Sequence, residues 1–236
     1  MPLPLNLAMT PSEITAATSL PAQIAWMACH FSPDGEGLVD LPSQLPEGSM
    51  LILDDSIPCK GHSADLVADT LCKVVDRFHC CGVLLDFQRS GNAESDAMIT
   101  AIVQTLPCPV AVTEAFASNL NCPVFLAPCP LHQPLSEYLR PWVGREIWLE
   151  AALCQEVVTV TKSGTAFAPQ FPATAQSNSF FNKMLCCRYM TRVQQDRITF
   201  TLFDTPETLE KKLETAQSLG VARAVGLYQE LGQYWG

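Results

Sequence analysis

The chain has 236 residues, enough for a substantial core, with 48% hydrophobic and 16% charged residues and no apolar run near the length of a membrane span. Its formal net charge is −10, with no Lys or Arg before Lys60. Binding to a phosphate backbone needs a basic stripe, so nucleic acid is disfavoured as a partner.

The start, "MPLPLNLAMTPSEITAATSLPAQ", is rich in Pro, Thr and Ser and lacks the basic and apolar regions of a signal peptide. This predicts a cytoplasmic protein without membrane contact. "IAWMACH" (24–30) then reads as a buried strand, and "SMLILDDS" (49–56) as a second strand ending in two acids. In "ADLVADTLCKVVDRFHC", Leu66, Val67, Thr70, Leu71, Val74, Val75 and Phe78 recur at the three-to-four spacing of one helix face. That helix feeds "GVLLDFQ" (82–88), where Asp86 and Gln88, two residues apart, project together from a strand end.

A second helix, "AESDAMITAIVQTL", precedes the short strands "PVAVTEAF" (109–116) and "PVFLAPCP" (123–130), whose connection is too short for a helical crossover. "LSEYLRPW" reads as a short helix and "EIWLEAAL" as another strand. "EVVTVTKSGTAFAP" then reads as a hairpin turning at Ser163–Gly164, and "DRITFTLFD" (196–204) as an alternating strand. "TPETLEKKLETAQSLG" has Thr205 as cap, Pro206 at the first helical position and Gly220 at the stop; "RAVGLYQEL" reads as the closing strand.

Apolar strands alternating with helices predict an α/β fold with a parallel sheet covered on its outer face. About seven strands approach a (β/α)8-type barrel with some outer helices missing. The runner-up is an open doubly wound sheet, weakened by the absence of a Gly-rich phosphate loop after the first strand. No linker or repeat divides the chain, so residues 1–236 read as one barrel-like domain, with 155–203 as a small α+β insertion before the last helix and strand.

Eleven cysteines include two vicinal pairs but no C-x-x-C, which argues for reduced thiols rather than disulfides or zinc. The four histidines show no metal-ligand spacing, so no metal or other cofactor is expected. Ser90–Gly91 is not a nucleophile elbow, because the G-x-S-x-G pattern is missing.

Two distant segments together resemble family-18 glycoside hydrolases, the chitinase-like enzymes of bacteria and other organisms. Their D-G-x-D-x-D-x-E strand is similar to "CGVLLDFQ": Asp86 matches the last Asp, Gln88 stands where the acid Glu would be, and Cys81 and Leu84 fill the first two aspartate positions. "FDTPETLEKKLETAQSLGVARAVGLYQELG" resembles the ending of the spore-cortex peptidoglycan hydrolase branch, with Tyr228 about where an active-site Trp would be. The resemblance implies a pair in which the Glu protonates the leaving oxygen and the Asp steadies the substrate's N-acetyl group. An amide donates a hydrogen bond but cannot deliver a proton. The resemblance therefore implies a pseudoenzyme that binds an N-acetylated oligosaccharide or peptidoglycan fragment.

Strand ends gather at a barrel's mouth, and they supply the other candidates. Glu114, Glu150 and Glu230 are substitutes for the lost acid; Tyr228 and Trp148 could stack on a sugar; His30 and Asp54 could hydrogen-bond one. Each has a plainer reading: acids as hydrogen-bonded mouth residues, aromatics as core, and Asp54–Asp55 as a capped strand end. Three functions stay open: a non-hydrolytic glycan binder, a glycosidase with a different acid, and a protein-interaction module with a filled mouth.

Overall fold

The computed structural model describes residues 3–89, 92–170 and 178–235; Ser90–Gly91 lies outside them. In chain order the strands are β1 (Leu5–Met9), β2 (Ile24–Phe31), β3 (Leu38–Val39), β4 (Met50–Asp54), β5 (Gly82–Asp86), β6 (Val110–Thr113), β7 (Val124–Leu126), β8 (Ile147–Ala151), β9 (Gln155–Thr161), β10 (Gly164–Gln170), β11 (Phe180–Asn182), β12 (Cys187–Val193), β13 (Arg197–Phe203) and β14 (Val221–Leu227). The helices are α1 (Pro11–Ala16), α2 (Ala64–Phe78), α3 (Ala93–Thr105), α4 (Leu135–Leu139), α5 (Pro206–Ser218) and α6 (Tyr228–Trp235).

Eight parallel strands, β1, β2, β4, β5, β6, β7, β8 and β14, close into a barrel through the pairing of β1 with both β2 and β14. Alternation along each strand divides the core into two layers. Inside the barrel, Ala8, Ala25, Met50, Ile52, Leu84, Ala111, Phe125, Trp148 and Val225 pack together. Outside it, one continuous layer includes Leu51, Leu53, Val83 and Leu85 with Val67, Leu71 and Val75 of α2 and Met98, Ile99 and Ile102 of α3, and, where α5 packs beside β14, Leu209 and Leu213. Gly82 is small because Trp148 crosses the interior beside it: a Cβ at Gly82 would lie 2.6 Å from Cη2 of that indole.

The helical coat is uneven. α2, capped by Ser63, and α3, capped by Asn92, are full crossovers, whereas β6 and β7 are joined by a 3₁₀ turn over Glu114–Asn119. β7 and β8 are joined by the five-residue α4 and a further 3₁₀ turn.

Several expectations need correction. There are eight barrel strands, because the Pro-rich start contains β1 and the short α1, capped by Thr10 and Glu13. "RAVGLYQEL" is not wholly strand: β14 ends at Leu227 and α6 begins at Tyr228. Gly226 permits this reversal, since a Cβ there would meet Leu231 Cδ1 at 2.5 Å. "PVFLAPCP" reduces to the three-residue β7.

The described residues between 155 and 203 form a five-stranded antiparallel sheet in the order β10-β9-β13-β12-β11, with no helix among them. Its first hairpin turns at Lys162–Ser163, because Thr161 pairs with Gly164. The chain leaves the barrel at Cys154 and returns at Asp204, where Asp204 N–H donates to the Cys154 carbonyl (2.8 Å). Lys212 Nζ of α5 contacts both Asp204 oxygens, at 2.7 and 2.8 Å, so the junction is an internal ion pair. His132 adds a second tie, its Nδ1 lying 2.6 Å from Glu156 Oε1.

Candidate site at the barrel mouth

Inward-facing residues at the C-terminal ends of the central strands change from apolar to polar. On β4 the sequence Met50, Ile52, Asp54 faces inward, and on β5 Gly82, Leu84, Asp86; Phe87 faces out and stacks edge-on with Phe31 and Phe116. His30, Asp54 and Asp86 are cross-strand neighbours: His30 pairs in register with Asp54, and Asp54 with Asp86. Gln88, just beyond β5, donates from Nε2 to Asp86 Oδ1.

The loop presenting Gln88 is built by Asp55, which no linear pattern separates from Asp54. Its buried carboxylate accepts from Gln88 N–H at 2.9 Å and Arg89 N–H at 3.0 Å. Arg89 in turn donates to the Asp55 and Ser56 carbonyls, at 2.8 and 2.6 Å. Asp54 is held differently, by His30 Nδ1 at 2.9 Å and Ser56 N–H at 2.8 Å. The doublet thus splits its work: Asp55 shapes the loop and Asp54 faces the mouth.

Beside Gln88 lies a cavity of about 380 Å³, lined by Phe87, Gln88, Thr113, Glu114, Ala115, Phe125, Ala127 and Glu150. Glu114 is exposed at the start of its 3₁₀ turn, and Glu150 is half-buried on β8. Tyr138, which has no distinguishing sequence signal, stands nearby: its hydroxyl donates to the Ala127 carbonyl at 2.9 Å. Burial, with Glu114 and Glu150 adding, pushes that phenol above its ordinary range.

One aromatic candidate is corrected by its position. Trp148 is 0% exposed within the barrel, its Nε1 bonded to Glu146 at 2.8 Å and its ring under Arg223, so it cannot reach a sugar. Tyr228 starts α6 and packs its ring over Gly232, apart from the residues lining the cavity. Glu230 accepts from Leu153 N–H and thereby fixes the exit from β8.

Electrostatics separates the mouth acids. Burial raises the Asp86 carboxyl, and Asp54 and Asp55 add to this, against the opposing bond from Gln88. Burial likewise raises Glu150, with Asp86 and Glu230 contributing. For Asp54 burial also pushes upward, but the bonds from Ser56 and His30 outweigh it and hold the carboxyl below its ordinary value. The mouth therefore contains one acid poised to ionise and two that resist it.

Among the described residues there is no cluster of three or more His, Cys, Asp or Glu able to hold a metal, and no helix long and apolar enough to cross a membrane. All eleven cysteines are free.

The architecture is that of a (β/α)8-type barrel with polar chemistry at its strand C-termini. No family model and no curated protein matches the chain. Among solved structures, it resembles the Bacillus cereus spore cortex-lytic enzyme SleL at 11% identity and TM-score 0.56, over 95% of this chain and 70% of that one. A family-18 N-acetylglucosaminidase from Paenibacillus barengoltzii matches at 9% identity and TM-score 0.57, over 95% and 94%. A Cycas revoluta family-18 chitinase variant, solved with (GlcNAc)4, matches at 7% identity and TM-score 0.56, over 98% and 96%. The chain thus has a family-18-like glycoside hydrolase fold, related to that of the spore-cortex enzymes.

Proposed function

We propose that this protein binds an N-acetylated glycan at its barrel mouth and does not hydrolyse it by the family route. The observation that carries this reading is Gln88, an amide bonded to Asp86 where the resembling motif has its acid. Asp86 and Gln88 together offer an acceptor and an amide donor beside an open cavity, which suits recognition of an acetamido group. Neither supplies the proton that a departing sugar oxygen needs when Asp86 is ionised. Loss of a general acid alone removes about 10²–10⁴ of the rate. The Cycas chitinase variant carries a Glu-to-Gln substitution and is in complex with (GlcNAc)4, an instance of binding by an acid-to-amide variant. Free thiols throughout suit a reducing compartment, and we place the protein in the cytoplasm.

The test is calorimetry with chitotetraose and a soluble peptidoglycan fragment, alongside a chromogenic N-acetylglucosamine oligomer. Saturable binding without turnover is the expected result; absence of binding to either ligand would overturn it. A second reading has an observation of its own: Glu150 lines the same cavity and resists ionisation, as an acid catalyst must. Turnover by the purified protein that vanishes in Glu150→Gln would establish that reading.

A further inference from the structure

We infer that the mouth selects a glycan carrying, beside its acetamido group, a primary ammonium, which Glu114 and Glu150 take up together. This selection rests on the glycan reading of the mouth and names a second group on the same ligand.

The acids of the mouth differ in whether the protein already supplies them with partners. Asp54 is bonded to His30 and Ser56, Asp55 to the Gln88 and Arg89 backbone, Asp86 to Gln88, and Glu230 to Leu153 N–H. Glu114 and Glu150 make no side-chain hydrogen bond or ion pair among the described residues. Both line the same cavity of about 380 Å³, Glu114 from the turn after β6 and Glu150 from β8. Glu150 is half-buried, and a carboxyl withdrawn from water without a partner is costly unless a cation or donor arrives. Burial and the nearby Asp86 oppose its charge in the free protein, and an incoming cation would offset both.

The protein brings no cation of its own to this space. Among the described residues no Lys, Arg or His lines the cavity. Those around the mouth are engaged elsewhere: His30 with Asp54, Arg89 with the Asp55 and Ser56 carbonyls, His132 with Glu156, and Lys212 with Asp204.

The remaining polar groups suit the several N–H donors of an ammonium. The Ala127 carbonyl lines the cavity, and the Tyr138 hydroxyl that donates to it keeps its own oxygen as an acceptor. Glu114 and Glu150 both act electrostatically on that phenol, which sets the three side chains around one space. Phe125 gives the cavity an apolar wall, and Gln88 lines it on the side of Asp86. An acetamido group and an ammonium of one chain can thus be held at once. Two sources offer that ammonium: a hexosamine that has lost its acetyl group, and the free amine of a peptide stem.

The test is calorimetry at about pH 6, below the ordinary range of a free amine. Chitotetraose is compared with its singly de-N-acetylated forms, and a muropeptide with a free stem amine is compared with its amine-acetylated form. In at least one pair the ammonium-bearing ligand should bind about tenfold more tightly, and the pair that shows the gain identifies the source. The gain should shrink as salt is raised. In Glu150→Gln and in Glu114→Gln it should fall to about twofold, because each variant removes one of the two carboxyls. Equal affinities within both pairs would overturn the selection and leave the glycan reading intact. A full gain in both folded variants would overturn its assignment to these acids; should neither variant fold, a gain unchanged by salt does the same. No binding of any of these ligands would overturn the glycan reading as well.

Discussion

The floor and the mouth of this barrel are built from the same strands on opposite principles. At the floor, Trp148 is fully enclosed, Gly82 yields space to it, and Arg223 lies over its ring. Two to four residues further along β4, β5 and β8, the inward side chains are Asp54, Asp86 and Glu150, and burial works against the charge of each. One end is packed for stability and the other holds groups that cost stability. That difference marks the mouth as the place where the fold has been bent to another purpose.

Substitutions at both ends can break or sharpen this contrast. Trp148→Ala should have the largest effect, a loss of about 3–5 kcal/mol by chemical denaturation, because it opens a cavity in a closed barrel. Gly82→Ala adds a methyl 2.6 Å from the same indole and 3.2 Å from the Pro109 carbonyl, and should cost about 1–3 kcal/mol. If either is tolerated without a fall in Tm, the floor is not the rigid plug described.

Substitutions at the mouth should be milder and should depend on pH. Gln88→Glu replaces the amide that donates to Asp86 with a second acid, at an expected cost of about 1 kcal/mol at neutral pH. The new carboxyl's folded-state pKa would be raised, so the cost should shrink as pH falls and both acids hold protons. Little or no hydrolysis should be gained, since Cys81 and Leu84 remain in place of the motif's other acids; clear turnover of a chromogenic substrate would show an otherwise intact catalytic site. Asp86→Asn should give the smallest change, a rise in Tm of about 1–2 °C at pH 7. The Asp86 carboxyl is raised in the folded state, so its contribution to stability is lost as pH rises above the unfolded carboxyl value. The gain should therefore disappear below about pH 4, as differential scanning calorimetry at both pH values would show.

Legibility in the sequence followed the strength of local signals. α2 and α5 announce themselves by an apolar face or by caps, and β5 by an apolar run ending in polar groups. β1 was hidden although Leu5, Leu7 and Met9 alternate with Asn6 and Ala8, because five residues set among prolines read as irregular. α6 was hidden because the apolar run passes from β14 into the helix without a break; only Gly226, where the helix folds back on its strand, marks the change. At the site, the i, i+2 parity brought Asp86 and Gln88 together correctly, but registers between strands are absent from a linear pattern. The His30–Asp54–Asp86 row and the separate tasks of Asp54 and Asp55 therefore needed the fold.

The barrel's seam joins its first strand to its last, with Leu5 to Ala8 set against Ala224 to Leu227. Every other barrel strand can find its neighbour while the chain is still being synthesised, but this pairing must wait for β14. Until then β1 and β8 each present an open edge, with unpaired N–H and C=O groups along it. The five-stranded sheet, whose partners are closer in sequence, can form during that interval, and Asp204 and Lys212 tie the chain at its exit just before β14 is reached. Closure of the barrel is thus the late event in assembly and the stage most exposed to association with another chain.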